Sequence, residues 1–241
     1  MKVIEHIKSN RSLYAMCNIP EFCWISATVL EKMEWSGEMP KTITQMYGQF
    51  LAFQEDCEKG SLDPLWTKDS ILSIGKLAFQ QLDKCNQIFF EEDLKNSGID
   101  VSNIQMYSGV LVHVFENCEQ PQEKVFNFKH PTVQAFLAAL YVFLTYRFGV
   151  NLMSKQKKDT RANIFYKGAV DKALKSERGH LDLFLRFLLG LSLESNQSLL
   201  NGFLTESGSS SKNTEEITKS TSKRKSKRIL LQKAVSIFSS V

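Results

Sequence analysis

No stretch of this chain is apolar for long enough to cross a bilayer. The longest strongly apolar run, residues 136–144, falls well short of the roughly 20 residues that a spanning helix needs. Nor does a basic segment followed by an apolar core open the sequence, so neither a secretory leader nor an anchor is indicated, and the expected location is the cytoplasm. Cysteine is scarce. The five cysteines, at 17, 23, 57, 85 and 118, are odd in number and form no Cys-x-x-Cys pair, which fits buried, reduced thiols rather than a disulfide framework. The four histidines, at 6, 113, 130 and 180, lie too far apart for a metal-ligand spacing. No Gly-x-Ser-x-Gly elbow occurs, and no leucine-rich or other internal repeat is found. A phosphate loop is missing as well. Its nearest candidate ends at Gly75-Lys76, but Ser70 stands where the first glycine is needed and Leu77 where a hydroxyl is needed. Glu91-Glu92-Asp93 is better explained by charge preference at a helix N-terminus than by acid–base chemistry. The expectation is therefore a protein that is no enzyme, with no catalytic and no metal-binding residues.

What is present suits a globular fold. Of 241 residues, 43% are hydrophobic and 23% charged, enough apolar material for a sizeable core in one or two units. The net charge of +4 is misleading, because residues 205–241 carry eight Lys/Arg against three Glu and the body is close to neutral. Beyond residue 207 the Ser/Lys/Thr-rich composition reads as a disordered tail. It includes the cluster Lys223-Arg224-Lys225-Ser226-Lys227-Arg228, either a solvated tail or a patch for nuclear import or an acidic partner. An amphipathic end follows at residues 229–238.

Hydrophobic periodicity places the elements. Residues 1–34 read as two helical segments separated near Pro20, and 35–38 as a linker. Pro40 is expected in the first turn of a helix whose Ile43, Met46, Tyr47, Phe50 and Leu51 form one apolar stripe. Thr67 is a plausible N-cap for a helix with Ile71, Ile74, Leu77, Ala78 and Leu82 on one face. Residues 87–90 read as a short strand, and Glu91-Glu92-Asp93 as the first turn of a brief helix that Gly98 ends. Residues 110–115 and 124–128 alternate as the arms of a hairpin around a polar turn, 116–123. A helix over 131–148, apolar on nearly every side, comes next, then a polar stretch at 154–161 and helical segments near 163–176, 181–192 and 195–204.

The most informative junction is that between the second hairpin arm and the apolar helix. Pro131 fits the first helical position, where the amide it lacks has no intrahelical partner. His130 then stands at a helix N-terminus, whose open N–H groups and dipole favour a phosphate. It is either an anion ligand there or a capping or core residue. The run Phe128-Lys129-His130-Pro131-Thr132-Val133-Gln134-Ala135-Phe136-Leu137-Ala138-Ala139 resembles the histidine motif of the winged-helix domain in NACHT–leucine-rich-repeat receptors (the NLR family of cytosolic immune sensors). Cys17-Asn18-Ile19-Pro20-Glu21-Phe22-Cys23-Trp24-Ile25 is similar to the segment that ends the family's first helical domain. Pro40-Lys41-Thr42-Ile43-Thr44-Gln45-Met46-Tyr47 and Leu77-Ala78-Phe79-Gln80-Gln81-Leu82 match family segments in the same order. The resemblance covers roughly residues 1–205. It departs from the family where the usual glutamate is Ala135 and the usual serine Thr132.

The resemblance implies a fold that is mainly α with a small β hairpin, a winged-helix domain flanked by helical-domain segments. Residues 1–34 become the end of the first helical domain, 35–150 the winged-helix domain, 151–205 the start of a second helical domain, and 206–241 the basic tail. It also implies two nucleotide-binding residues, His130 on the β-phosphate of ADP and Pro20 on the adenine. The implied cofactor is ADP or ATP in a complete receptor, with none expected for the isolated chain. The implied partners are the NACHT nucleotide-binding core and the leucine-rich repeats of a receptor, in cis or in trans, with self-association and without membrane. Phosphate loop and Mg²⁺ site would reside in that core, ahead of residue 1. The implied function is the regulatory region of an NLR-type innate immune sensor, a fragment or truncated relative, holding a receptor closed around ADP. The alternative is a helical adaptor or decoy that binds no nucleotide. Winged helices also bind DNA, but the candidate recognition helix is nearly neutral, with Lys68, Lys76 and Lys84 against Asp69 and Asp83. The turn carries Glu116, Glu119 and Glu123, which the phosphate backbone repels.

Overall fold

Helix-stop chemistry divides the N-terminal region more finely than its periodicity predicts. The computed structural model of the chain describes residues 2–33, 39–56, 67–114, 124–176 and 178–196. They belong to one unit, Met1–Leu204, while the second unit, Thr205–Val241, lies outside the described residues. So do the linker at 35–38, Cys57, the loop after residue 56, the acidic hairpin turn, the end of the segment at 195–204, the Lys223–Arg228 cluster and the amphipathic end.

Before Pro20 there are two helices, not one: α1 (Lys2–Ser9) and α2 (Arg11–Met16). Asn10 breaks them apart, because its side chain accepts the Leu13 amide at 3.5 Å and donates to the Lys41 carbonyl at 2.7 Å. Helix α3 (Pro20–Lys32) starts with Pro20 at its first position. Helix α4 (Ile43–Asp56) begins later than Pro40 suggested. Thr42 accepts the Gln45 amide and Gln45 accepts the Thr42 amide, each at 3.2 Å, a reciprocal capping box that sets the start three residues into the turn. The stripe from Ile43 to Leu51 is buried throughout. Thr67 caps α5 (Lys68–Asp83) by accepting the Ser70 amide at 3.2 Å.

The small sheet has three antiparallel strands in the order β1 (Ile88–Phe90), β3 (Val125–Phe128), β2 (Leu111–Val114). Phe89 pairs with Phe126, and Phe126 with His113, so Phe89, Phe126, Phe128 and Leu111 fill the inner face. Ile88, Phe90 and Val112 stand on the outer face, exposed. Helix α6 (Glu91–Ser97) ends at Gly98 with φ 87°, and a 3₁₀ helix over Val101–Tyr107, which the periodicity did not announce, leads into β2.

The apolar helix is α7 (Pro131–Arg147), and its residues from Thr132 to Leu140 are all buried. It runs against α5 on one side and α9 (Asp182–Leu191) on another, and α8 (Ala162–Leu174) packs on α9. The rings of Tyr47, Phe136 and Phe187 join α4, α7 and α9, with centroids 4.9 to 5.5 Å apart. The fold is mostly helical with a small antiparallel sheet, as expected. Among the described residues no helix is long and apolar enough to cross a membrane, and no group of three or more His, Cys, Asp or Glu side chains is placed to hold a metal.

Candidate functional site

His130 ends the bend after β3 and is the N-cap of α7, with φ −141° and ψ 132°. Its carbonyl accepts the amides of Val133 and Gln134 at 3.1 and 3.2 Å, which leaves Thr132 to present the first N–H of the helix. The imidazole makes no capping hydrogen bond. It is half-buried and lies against Trp24, with ring centroids 5.6 Å apart and planes at 48°. Trp24 also meets the edge of Phe50 at 5.6 Å and carries the Lys129 ammonium 5.1 Å above its ring. His130 is thus half-buried against an aromatic ring, and its imidazole is not used in capping.

Pro20 lies in the first turn of α3, exposed. Pro20, Cys23, Trp24 and Ala27 are all exposed and follow one another at i, i+3, i+4 and i+7, one stripe of the helix. Phe22, Ile25, Ser26 and Val29 form its buried side. The Trp24–His130 contact therefore brings the Pro20 stripe and the mouth of α7 onto a common surface. The motif resemblance implies no role for Trp24, although its position one turn after Pro20 puts it on the same helix stripe.

Electrostatics at the site are balanced. Burial lowers the His130 pKa below its ordinary 6.5, Glu21 opposes the shift and Lys129 adds to it. The neutral ring prevails at neutral pH, with one N–H to donate. In the core the Tyr47 hydroxyl, pushed up to about 12 mainly by burial, faces Thr132. The two hydroxyls miss hydrogen-bond geometry, and neither has a partner, nor does the Gln134 amide nitrogen. Unsatisfied buried polar atoms of this kind are uncommon in native proteins. The donors at this helix N-terminus are the Thr132 N–H and the His130 ring, and the Lys129 ammonium lies over the adjoining Trp24 ring. Ala135, where the motif resemblance has glutamate, is buried in α7 and takes no part in the open surface.

The His130 shift has a measurable consequence. Below about pH 6.5 the unfolded chain takes up a proton that the folded chain resists, so this contribution to stability is full above 6.5 and is lost as pH falls. The stability advantage of the native chain over His130→Gln is expected to shrink as pH drops from neutral toward 5, read by urea denaturation at each pH. A difference that stays flat, or grows on acidification, contradicts the assigned environment.

Three charges of helix α5 are engaged within the protein. Lys76 donates to the Asn96 carbonyl at 2.8 Å, Asp83 pairs with Lys172 at 2.5 Å, and the Lys68 ammonium sits 4.3 Å above the Phe148 ring.

Comparison with known proteins gives this geometry its context. Residues 69–128 match the family model for the NOD2 winged helix domain, and residues 130–241 match that for the NLRC4 helical domain HD2. The chain belongs to the NLR family. It is a winged-helix and helical-domain region of that family. Human NLR family CARD domain-containing protein 3 is 26% identical over 230 residues, covering 86% of this chain and 21% of that protein. Bovine NACHT, LRR and PYD domains-containing protein 3 is 29% identical over 199 residues, covering 80% of this chain and 19% of its own length. The human form of the latter is 28% identical over 215 residues, with 80% and 19% covered. The chain spans about a fifth of the length of these relatives. The junction between the two matched stretches falls beside His130.

Proposed function

We propose that this region holds an NLR receptor closed around ADP, with His130 donating to the β-phosphate and Pro20 packing on the adenine. The observation that carries the reading is the Trp24–His130 contact, because it unites the exposed Pro20 stripe with an uncapped helix N-terminus on one surface. The bound nucleotide supplies an anion bridging this region and a NACHT core. The chain's own part is to present a neutral imidazole N–H, the Thr132 amide and the Lys129 ammonium on a helix whose position the core fixes. As a phosphate approaches, the His130 pKa rises, so affinity strengthens as pH falls through the bound-state value.

The test is His130→Ala in a full-length receptor carrying this region. A charge-assisted hydrogen bond contributes roughly 1.5–3 kcal/mol, so ADP retention is expected to fall about ten-fold or more and spontaneous signalling to rise. Unchanged retention refutes the role of His130. The exposed apolar stripe on α3 also supports a second reading, a helical adaptor that captures a partner without nucleotide. Calorimetric titration of the isolated chain with ADP does not by itself separate the two readings. Weak or absent binding is expected from either, since the phosphate loop is supplied elsewhere, and the full-length experiment separates them.

A further inference from the structure

Two thiols meet at the turn leading into α3. Cys17 closes α2 and Cys23 lies at the start of α3, with Asn18-Ile19-Pro20-Glu21-Phe22 between them. The turn is held by the Ile19 amide on the Met16 carbonyl at 2.9 Å and the Cys23 amide on the Ile19 carbonyl at 3.1 Å. Its closure brings the Cys23 Sγ–H to the Cys17 carbonyl at 2.8 Å. The Cys17 thiol is pushed up to about 11, first by burial and then by the neighbouring Cys23. Cys23 is exposed and Cys17 half-buried, so an oxidant reaches the former and the latter waits behind it.

We propose that Cys17 and Cys23 form a two-thiol oxidation site that a hydroperoxide closes into an intramolecular disulfide across the Pro20 turn. In the first step the Cys23 thiolate attacks a peroxide oxygen; the O–O bond breaks, water or an alcohol leaves, and Cys23 becomes a sulfenic acid. In the second the Cys17 thiolate attacks the Cys23 sulfur, the S–O bond breaks and water leaves. Two thiols lose two electrons and two protons, and one peroxide is reduced by two electrons. Exposure makes Cys23 the sulfur oxidised first, while burial raises the Cys17 pKa and makes it the slower thiol, which loses its proton only as it attacks the sulfenic acid. The disulfide ties the end of α2 to the start of α3 and so restricts the turn from which Pro20 projects. This chemistry is independent of the nucleotide reading.

The full chain gives a direct readout, because no Lys or Arg lies between Arg11 and Lys32 and both thiols fall on one tryptic peptide, residues 12–32. The folded protein is treated with hydrogen peroxide, denatured, alkylated with N-ethylmaleimide, digested and weighed. The doubly alkylated peptide is expected to fall roughly ten-fold, replaced by an unalkylated form lighter by two hydrogens that dithiothreitol restores. A trivalent arsenical, which bridges thiols that already meet, is expected to protect both from alkylation without peroxide. Recovery of Cys17 fully alkylated while Cys23 carries a sulfinic acid overturns the proposal, as does failure of the arsenical to protect the pair. Both experiments use the native sequence, so no variant has to fold.

Discussion

Replacing Phe136 with alanine is expected to destabilise the protein by about 3–5 kcal/mol, the range for deleting a buried aromatic ring. Phe136 is 2% exposed, and its ring lies 5.5 Å from that of Tyr47 and 5.1 Å from that of Phe187. Three helices converge on it, and none can close the void without losing its contact with the other two. The loss comprises the transfer energy of the ring and the cavity left by incomplete relaxation. A domain of this kind is stable by roughly 5–15 kcal/mol in all, so the substitution removes a large share. Urea denaturation followed by circular dichroism should show a lower midpoint with an unchanged slope. A loss below about 1 kcal/mol would mean that the three rings do not form one cluster.

The same triangle explains why much of this fold can be read from residues alone. The stripe on α4 and the apolar girth of α7 are periodic, and periodicity reports burial directly. Thr67, the acidic first turn of α6 and Gly98 are local signals whose partners lie within a few residues. Signals that depend on distant partners were hidden. Asn10 breaks the first helix partly because its amide reaches Lys41. The pairing of β1 with β3 joins strands far apart in the chain. At the site, His130 was legible as a helix-opening histidine and Pro20 through a motif resemblance. Their common surface was not, because Trp24 provides it through a contact between residues over a hundred positions apart.

Position at the site is therefore a property of the core. His130 is the cap of α7, and α7 is buried along most of its length. Whatever fixes the axis of α7 fixes where the imidazole faces. The aromatic triangle holds one side of the helix, and α5 holds another at a point where the two backbones come very close.

That point is Gly75, the glycine of the Gly75-Lys76 pair. Its place is in the middle of α5, and a Cβ built there would meet Tyr141 Cβ at 2.7 Å and the Leu137 carbonyl oxygen at 3.0 Å. Two effects compete in Gly75→Ala. Alanine favours the helix by roughly 0.5–1 kcal/mol over glycine, whereas overpacking costs about 1–3 kcal/mol. The clash decides the sign, because a carbonyl oxygen and a Cβ belong to the frame of α7 and neither can rotate away as a side-chain tip could. A net loss of about 1–2 kcal/mol is expected from the difference of those terms, with α5 and α7 pushed apart. Gly75→Leu should be worse, since it adds volume at the same crossing. If Gly75→Ala instead raises the denaturation midpoint, helix propensity has prevailed and the two helices do not approach this closely. If the loss appears, a receptor carrying Gly75→Ala should also retain ADP less well with His130 intact, because displacing α7 displaces its cap.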